Sequence, residues 1–213
     1  MSVTLPEDLA TPAQGRPIYR LTAEQVLRMV EAGIIPNGAN AELLDGVLYE
    51  TTKGELHNVI VTIMGDLLRP LVALAPARHH VRAGSSTTAD PFSLPEPDVA
   101  VVEGGLYDYL PTPPPLTKLS LVVEIDSNSP GDHTVKLAKY AREGIPVYWV
   151  VDAEGRRVAV YTGPNAEGGY DRRTTARPGE SIDVVVAGHV CGAVRVVDVF
   201  PPSEALRGRG ERP

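Results

Sequence analysis

The 213-residue chain reads as a single α/β domain, a mixed central sheet flanked by helices with a β-rich extension at its C-terminal end. Three observations predict this class. Helical and strand patterns follow one another in the order helix, β, long helix, β, β, β, helix, β, β. The run Leu119 to Val123, apolar but for one serine, has the composition of a strand buried on both faces. The 43% hydrophobic and 22% charged content is that of an ordinary globular protein, and the length suits one domain with a substantial core. No internal repeat is present.

The elements follow in order. LTAEQVLRMVEAG places apolar residues at 23, 26, 27 and 30, a helical period, with Thr22 as N-cap and Gly33 just past the end. AELLDGVLYETT predicts a hairpin or a bent strand turning at Asp45-Gly46, with Glu42 just before the turn. The second helix spans about Glu55 to Ala75, and Pro70 inside it should kink it or end it early. Strands are expected at residues 79 to 87 and 97 to 102, then at 119 to 125 after a proline-rich loop. SPGDHTVKLAKYAREG reads as helix three, ending at Gly144, and IPVYWVVD and RRVAVYT as further strands. Tyr148 and Trp149 are most simply core and strand-surface residues. Residues 169 to 200 carry short β-rich runs that could extend the sheet or serve a dimer contact. Residues 1–17 and 201–213, rich in proline, glycine and charge, are expected to be disordered tails, leaving 18–200 as the domain.

Composition narrows the setting. The single cysteine, Cys191, excludes an internal disulfide and has no Cys or His cluster around it for structural zinc. The first 30 residues lack a signal-peptide pattern, and no apolar run is long enough to span a bilayer, so a cytoplasmic, non-membrane protein is expected. The net charge of −7 argues mildly against a broad nucleic-acid-coating surface and leaves room for a local basic cleft.

Acids mark the ends of two strands. Glu124 and Asp126 share a strand face at the carboxyl end of their strand, where open α/β sheets bind ligands. Asp98 opens the apolar run PDVAVV. If these strands pair, Asp98 and Glu124 can converge on one hard cation, Mg²⁺ or Mn²⁺; the alternative is that each acid simply caps a strand end in solvent. On helix three, Leu137, Tyr140, Ala141 and Gly144 form one face, with Lys136 about 90° and Lys139 about 150° from its centre. Lys136 is thus the lysine able to lean inward, with a solvated flank as the alternative. A lysine there could stabilise developing charge on a phosphate.

ELLDG, GELHNVIV, PEPDVAVV, LVVEIDSNSP and KLAKYAREGIPVYWVVD, in this order over roughly residues 20 to 162, resemble the Uma-type family of bacterial restriction-endonuclease-like proteins, a branch of the PD-(D/E)XK nuclease superfamily. The resemblance implies an αβββαβ core and Mg²⁺-dependent hydrolysis of DNA. Asp98 matches the motif Asp, Glu124 the motif Glu and Glu42 the upstream acid, with the backbone carbonyl of Ile125 as a further metal ligand. The motif Glu-x-Lys here reads Glu124-Ile125-Asp126, so an acid stands at the lysine position, and the resemblance implies that Lys136 on the following helix replaces it. Asp126 is either an extra ligand or a helix-capping acid. His57 matches a family histidine that would contact phosphate or a carboxylate, or make an ordinary hydrogen bond. Double-stranded DNA is the favoured partner, and a two-fold homodimer would suit its cleavage. The alternative is a member of the same fold with weak or lost catalysis that binds nucleic acid or a protein.

Overall fold

The computed structural model describes residues 18–36, 39, 41–51, 53–110, 112–126 and 132–207. The expected N-terminal tail, the last six residues and the start of helix three lie outside these.

Helix α1 (Ala23–Glu31) begins at a capping box: the Thr22 hydroxyl accepts from the Gln25 N–H at 3.2 Å, and the Gln25 side chain accepts from the Thr22 N–H at 2.8 Å. β1 (Ala41–Leu44) and β2 (Val47–Glu50) form an antiparallel hairpin. Its turn residues Asp45 and Gly46 have φ of 47° and 80°, the positive pair that a two-residue turn of this hand requires. α2 (Glu55–Val72) runs two residues past Pro70, so the proline does not stop it there. In the last turn a missing N–H costs one bond, and Val72 is held in the core.

Six strands form the main sheet, in the order β3-β4-β5-β6-β7-β8. They are β3 (His79–Ala83), β4 (Val99–Glu103), β5 (Leu119–Asp126), β6 (Val147–Asp152), β7 (Arg157–Pro164) and β8 (Tyr170–Ala176). Only β5 and β6 pair in parallel, and α3 (Asp132–Arg142) connects them. The run α2-β3-β4-β5-α3-β6 is therefore the expected αβββαβ core. β3 stops earlier than the sequence suggested, at Gly84 with φ of 50°.

Side-chain alternation along β5 sends Leu121, Val123 and Ile125 to one face, packed with Ile60, Met64 and Leu68 of α2 and with Trp149. The other face carries Val122, with Ala100, Tyr140 of α3 and Tyr148. Trp149 and Tyr148 are fully buried, which makes both core residues. Of the C-terminal extension, β8 joins the sheet as its edge strand. β9 (Ser181–Val186) and β10 (His189–Arg195) form a separate hairpin that packs on the α2 face through Ile182, Val184 and Val194, followed by α4 (Val196–Val199). Within the segment expected to be a disordered tail, Ser203–Arg207 forms a short helix, α5, and the buried Pro201 accepts a hydrogen bond from Arg156 through its carbonyl. No helix among the described residues is long and apolar enough to cross a membrane.

Candidate active site

The register of β4 and β5 builds the site. Val99 pairs with Val123 and Ala100 with Val122, so Asp98, one residue before β4, falls beside Glu124. The contact is locked by the backbone: Oδ2 of Asp98 accepts from the Ile125 N–H at 2.9 Å. In an extended strand the N–H and C=O of one residue point the same way, so the Ile125 carbonyl is directed toward this side as well. Glu124, on the α3 face of β5, is buried, and so is Asp98.

Helix α3 supplies the cation. The Nζ of Lys136 donates to Oε2 of Glu124 at 3.1 Å and lies 2.9 Å from Oε2 of Glu42, with 5% of its side chain exposed. Glu42 arrives on β1 from the opposite side, and its Oε1 accepts from the Glu96 N–H at 2.8 Å. One ammonium thus joins the carboxylates of β1 and β5. His57, in the first turn of α2, is buried with its Nε2 3.0 Å from Oδ1 of Asp98. Asp126, half-buried at the end of β5, shares the face of Glu124, and its carbonyl accepts from the Ala153 N–H at 2.9 Å. The structure therefore brings together Asp98, Glu124, Glu42, Lys136 and His57.

Burial, with the charges of Asp98 and Glu42 added to it, pushes the Glu124 carboxyl up to about 8, against the opposing pull of Lys136 and the Tyr140 hydroxyl. Burial also works against ionised Asp98, but the hydrogen bond and charge of His57, the Ile125 N–H and Lys136 outweigh it and hold that carboxyl below its usual range. Neighbouring acids with environments this different are characteristic of sites that handle charge.

Three participants escaped the sequence reading. The Tyr140 hydroxyl donates to Oε1 of Glu124 at 2.7 Å. Its signal was present: a tyrosine on the inward face one turn beyond Lys136 needs a partner for its hydroxyl when buried. Lys53 lies 3.6 Å from Oδ1 of Asp98 with 24% of its side chain exposed. It stands in the linker before α2, where no periodicity applies. Lys139, expected to face away, is buried instead: its Nζ donates to Asp45 at 2.7 Å, to Ser93 at 2.7 Å and to Asp90. The helical wheel assumed one covered face, whereas the hairpin turn and the 90–93 loop cover the flank of α3 as well.

The donor chemistry, carboxylate oxygens from three separate elements, suits a hard divalent cation. Among the described residues, however, no group of three His, Cys, Asp or Glu side chains is already gathered as a metal cluster. Lys136 stands between two of the acids, so its ammonium supplies counter-charge in this arrangement, and His57 lies against the third.

The αβββαβ core, with acids on paired strands, defines a restriction-endonuclease-like nuclease fold. The chain belongs to the Uma2 family, described as putative restriction endonuclease, whose model matches residues 23–190. A solved structure with the same fold is a protein of Anabaena variabilis ATCC 29413 described as a putative nuclease belonging to DUF820. It is 15% identical, with a TM-score of 0.64, and the match covers 84% of this chain and 97% of that one. No curated protein matches the chain.

Proposed function

We propose that this protein is a metal-dependent endonuclease that hydrolyses DNA phosphodiester bonds. One observation carries the reading: the lysine missing from the Glu-x-Lys position is replaced from α3, where Lys136 reaches Glu124. Asp98, Glu124 and Glu42, with the Ile125 carbonyl, would hold Mg²⁺ or Mn²⁺. Such an ion, when bound, supplies an acidified water and neutralises charge on the scissile phosphate.

The chain's own residues do the rest. Lys136 places a positive charge beside Glu124, where negative charge on a transferring phosphate would be stabilised. Tyr140 and the Ile125 N–H fix the orientations of Glu124 and Asp98, and the Glu96 N–H does the same for Glu42. His57 holds Asp98 ionised and ready to act as a ligand. Double-stranded DNA in the cytoplasm is the favoured substrate, and a two-fold homodimer would suit its cleavage.

The test is incubation of supercoiled, linear duplex and single-stranded DNA with the protein and Mg²⁺ or Mn²⁺. Cleavage should require the divalent ion, stop with a chelator and be lost in Glu124→Gln. A second reading, a nuclease-fold protein that binds nucleic acid or a protein partner without cutting, is favoured by the pairing of Lys136 with both Glu42 and Glu124. DNA binding without cleavage under all these conditions would select it.

A further inference from the structure

We propose that Lys53 is a substrate-binding residue, the cation that receives a backbone phosphate of the nucleic acid at the mouth of the site. The identity of the anion rests on the nuclease reading; the assignment of the residue rests on its geometry.

Two lysines and one histidine approach the acids of the site among the described residues, and they differ in how they are held. Lys136 and His57 have side chains 5% and 6% exposed, each in direct contact with a carboxylate of the site. Lys53 is 24% exposed, and its 3.6 Å separation from Oδ1 of Asp98 is longer than a hydrogen bond. Asp98 does not need it. One carboxylate oxygen already faces His57 Nε2 at 3.0 Å, and the other accepts from the Ile125 N–H at 2.9 Å. Lys53 is therefore a cation oriented toward the site by a weak attraction, with a flexible stem and its ammonium within reach of water.

The surroundings give that cation a task. A phosphodiester approaching Asp98, Glu124 and Glu42 meets three acids on a chain of net charge −7. The buried Lys136 is committed to two of those acids. A part-exposed ammonium can turn from Asp98 to an incoming phosphate, because at 3.6 Å it makes no hydrogen bond there and Asp98 keeps its contacts with His57 and the Ile125 N–H. A phosphate accepted there would lie beside Asp98, at the part-exposed end of Lys53.

Binding measured without divalent ions tests this independently of cleavage. A fluorescent duplex of about 20 base pairs is titrated in chelator at salt concentrations from roughly 50 to 200 mM. Lys53→Met should weaken binding about 5- to 10-fold at the lowest salt and flatten the salt dependence by about 0.9, the slope of one phosphate contact. Lys53→Arg should restore both. Lys118→Met removes a lysine paired with Glu103 at the opposite end of β4 and should change neither. The melting temperature of Lys53→Met should stay near that of the wild type, which separates lost binding from lost folding. The proposal is overturned if Lys53→Met binds with wild-type affinity and slope, if Lys118→Met loses as much, or if the wild type shows no salt-dependent binding. Salt-dependent binding that Lys53→Met weakens, in a protein that never cleaves, would sink the nuclease reading and leave the Lys53 assignment standing.

Discussion

Replacing Glu124 by Gln should change how stability depends on pH, and the size of the change follows from the site. Glu124 is held at about 8 in the folded protein against an ordinary value of 4.5. Between those values the folded state keeps a proton that the unfolded chain has released. The contribution is thus fully present below pH 4.5 and is lost as pH rises through about 8. At ~1.4 kcal/mol per pH unit the loss has a ceiling of about 5 kcal/mol. That is comparable to the whole stability of many domains, ~5–15 kcal/mol. Asp98 does not blur the window: its carboxyl is lowered, so its stabilisation is present above the ordinary carboxylate value and is lost only as pH falls through the lowered one. Glutamine keeps the shape of Glu124 and cannot titrate. Denaturant unfolding at pH values from about 5 to 9, without divalent ions, should show the wild-type midpoint falling steadily and the Glu124→Gln midpoint nearly level. Parallel curves for the two proteins would refute the account of Glu124 as a carboxyl destabilised in its charged form by burial and by two neighbouring acids.

Three further outcomes are expected. Mg²⁺ or Mn²⁺ at 100 times its dissociation constant should stabilise the fold by about 2.7 kcal/mol, a rise of several degrees in melting temperature that Glu124→Gln should abolish; no shift in the wild type at millimolar metal would argue against a metal site. Lys136→Ala should lower the cleavage rate by about 10²-fold or more, whereas Lys139→Ala should cost about 1–3 kcal/mol of stability by removing the buried ammonium that joins Asp45, Asp90 and Ser93. Equal rate losses in the two variants, with equal melting temperatures, would overturn that division. Gly46→Ala should destabilise the β1–β2 hairpin by about 1–3 kcal/mol, because φ is 80° there and the added methyl would collide with the Arg20 side chain; a melting temperature equal to that of the wild type would show that the turn adjusts freely.

Local signals placed most of the fold. Thr22 as a cap announced α1, Asp45-Gly46 announced the hairpin, and the apolar run from Leu119 announced β5, because caps, tight turns and fully buried strands have chemistry confined to a few residues. The juxtaposition of Asp98 and Glu124 was also legible, since both acids flank apolar runs whose pairing aligns them. What stayed hidden depends on contacts between distant segments. Lys139 is buried because the hairpin turn and the loop at Asp90 fold over α3, and no helical period encodes a second covering layer. Lys53 gains its meaning only from the position of Asp98. Pro70 was read as kinking the helix or ending it early, and α2 ends at Val72, two residues past the proline and short of the expected Ala75, with Val72 held in the core. Of the last β-rich runs, SIDVVV is β9, whereas AVRVVDV leaves β10 at Arg195 and turns into α4, and the polar β8, which joins the sheet, carried no apolar run to mark it.

The joining of β1 to α3 by lysines has a consequence for how the protein is made. Lys139 and its partner Asp45 are 94 residues apart. At a synthesis rate of ~5–20 residues per second, Asp45 waits about 5 to 20 s on the growing chain before its lysine exists. Glu42 and Lys136 are in the same position, one on each of these elements. During that interval the acids of the first hairpin have no lysine of α3 to pair with. Assembly of the site is thereby timed to the arrival of α3, and a chain stalled before that helix would carry acids from three elements but not the ammonium that joins them.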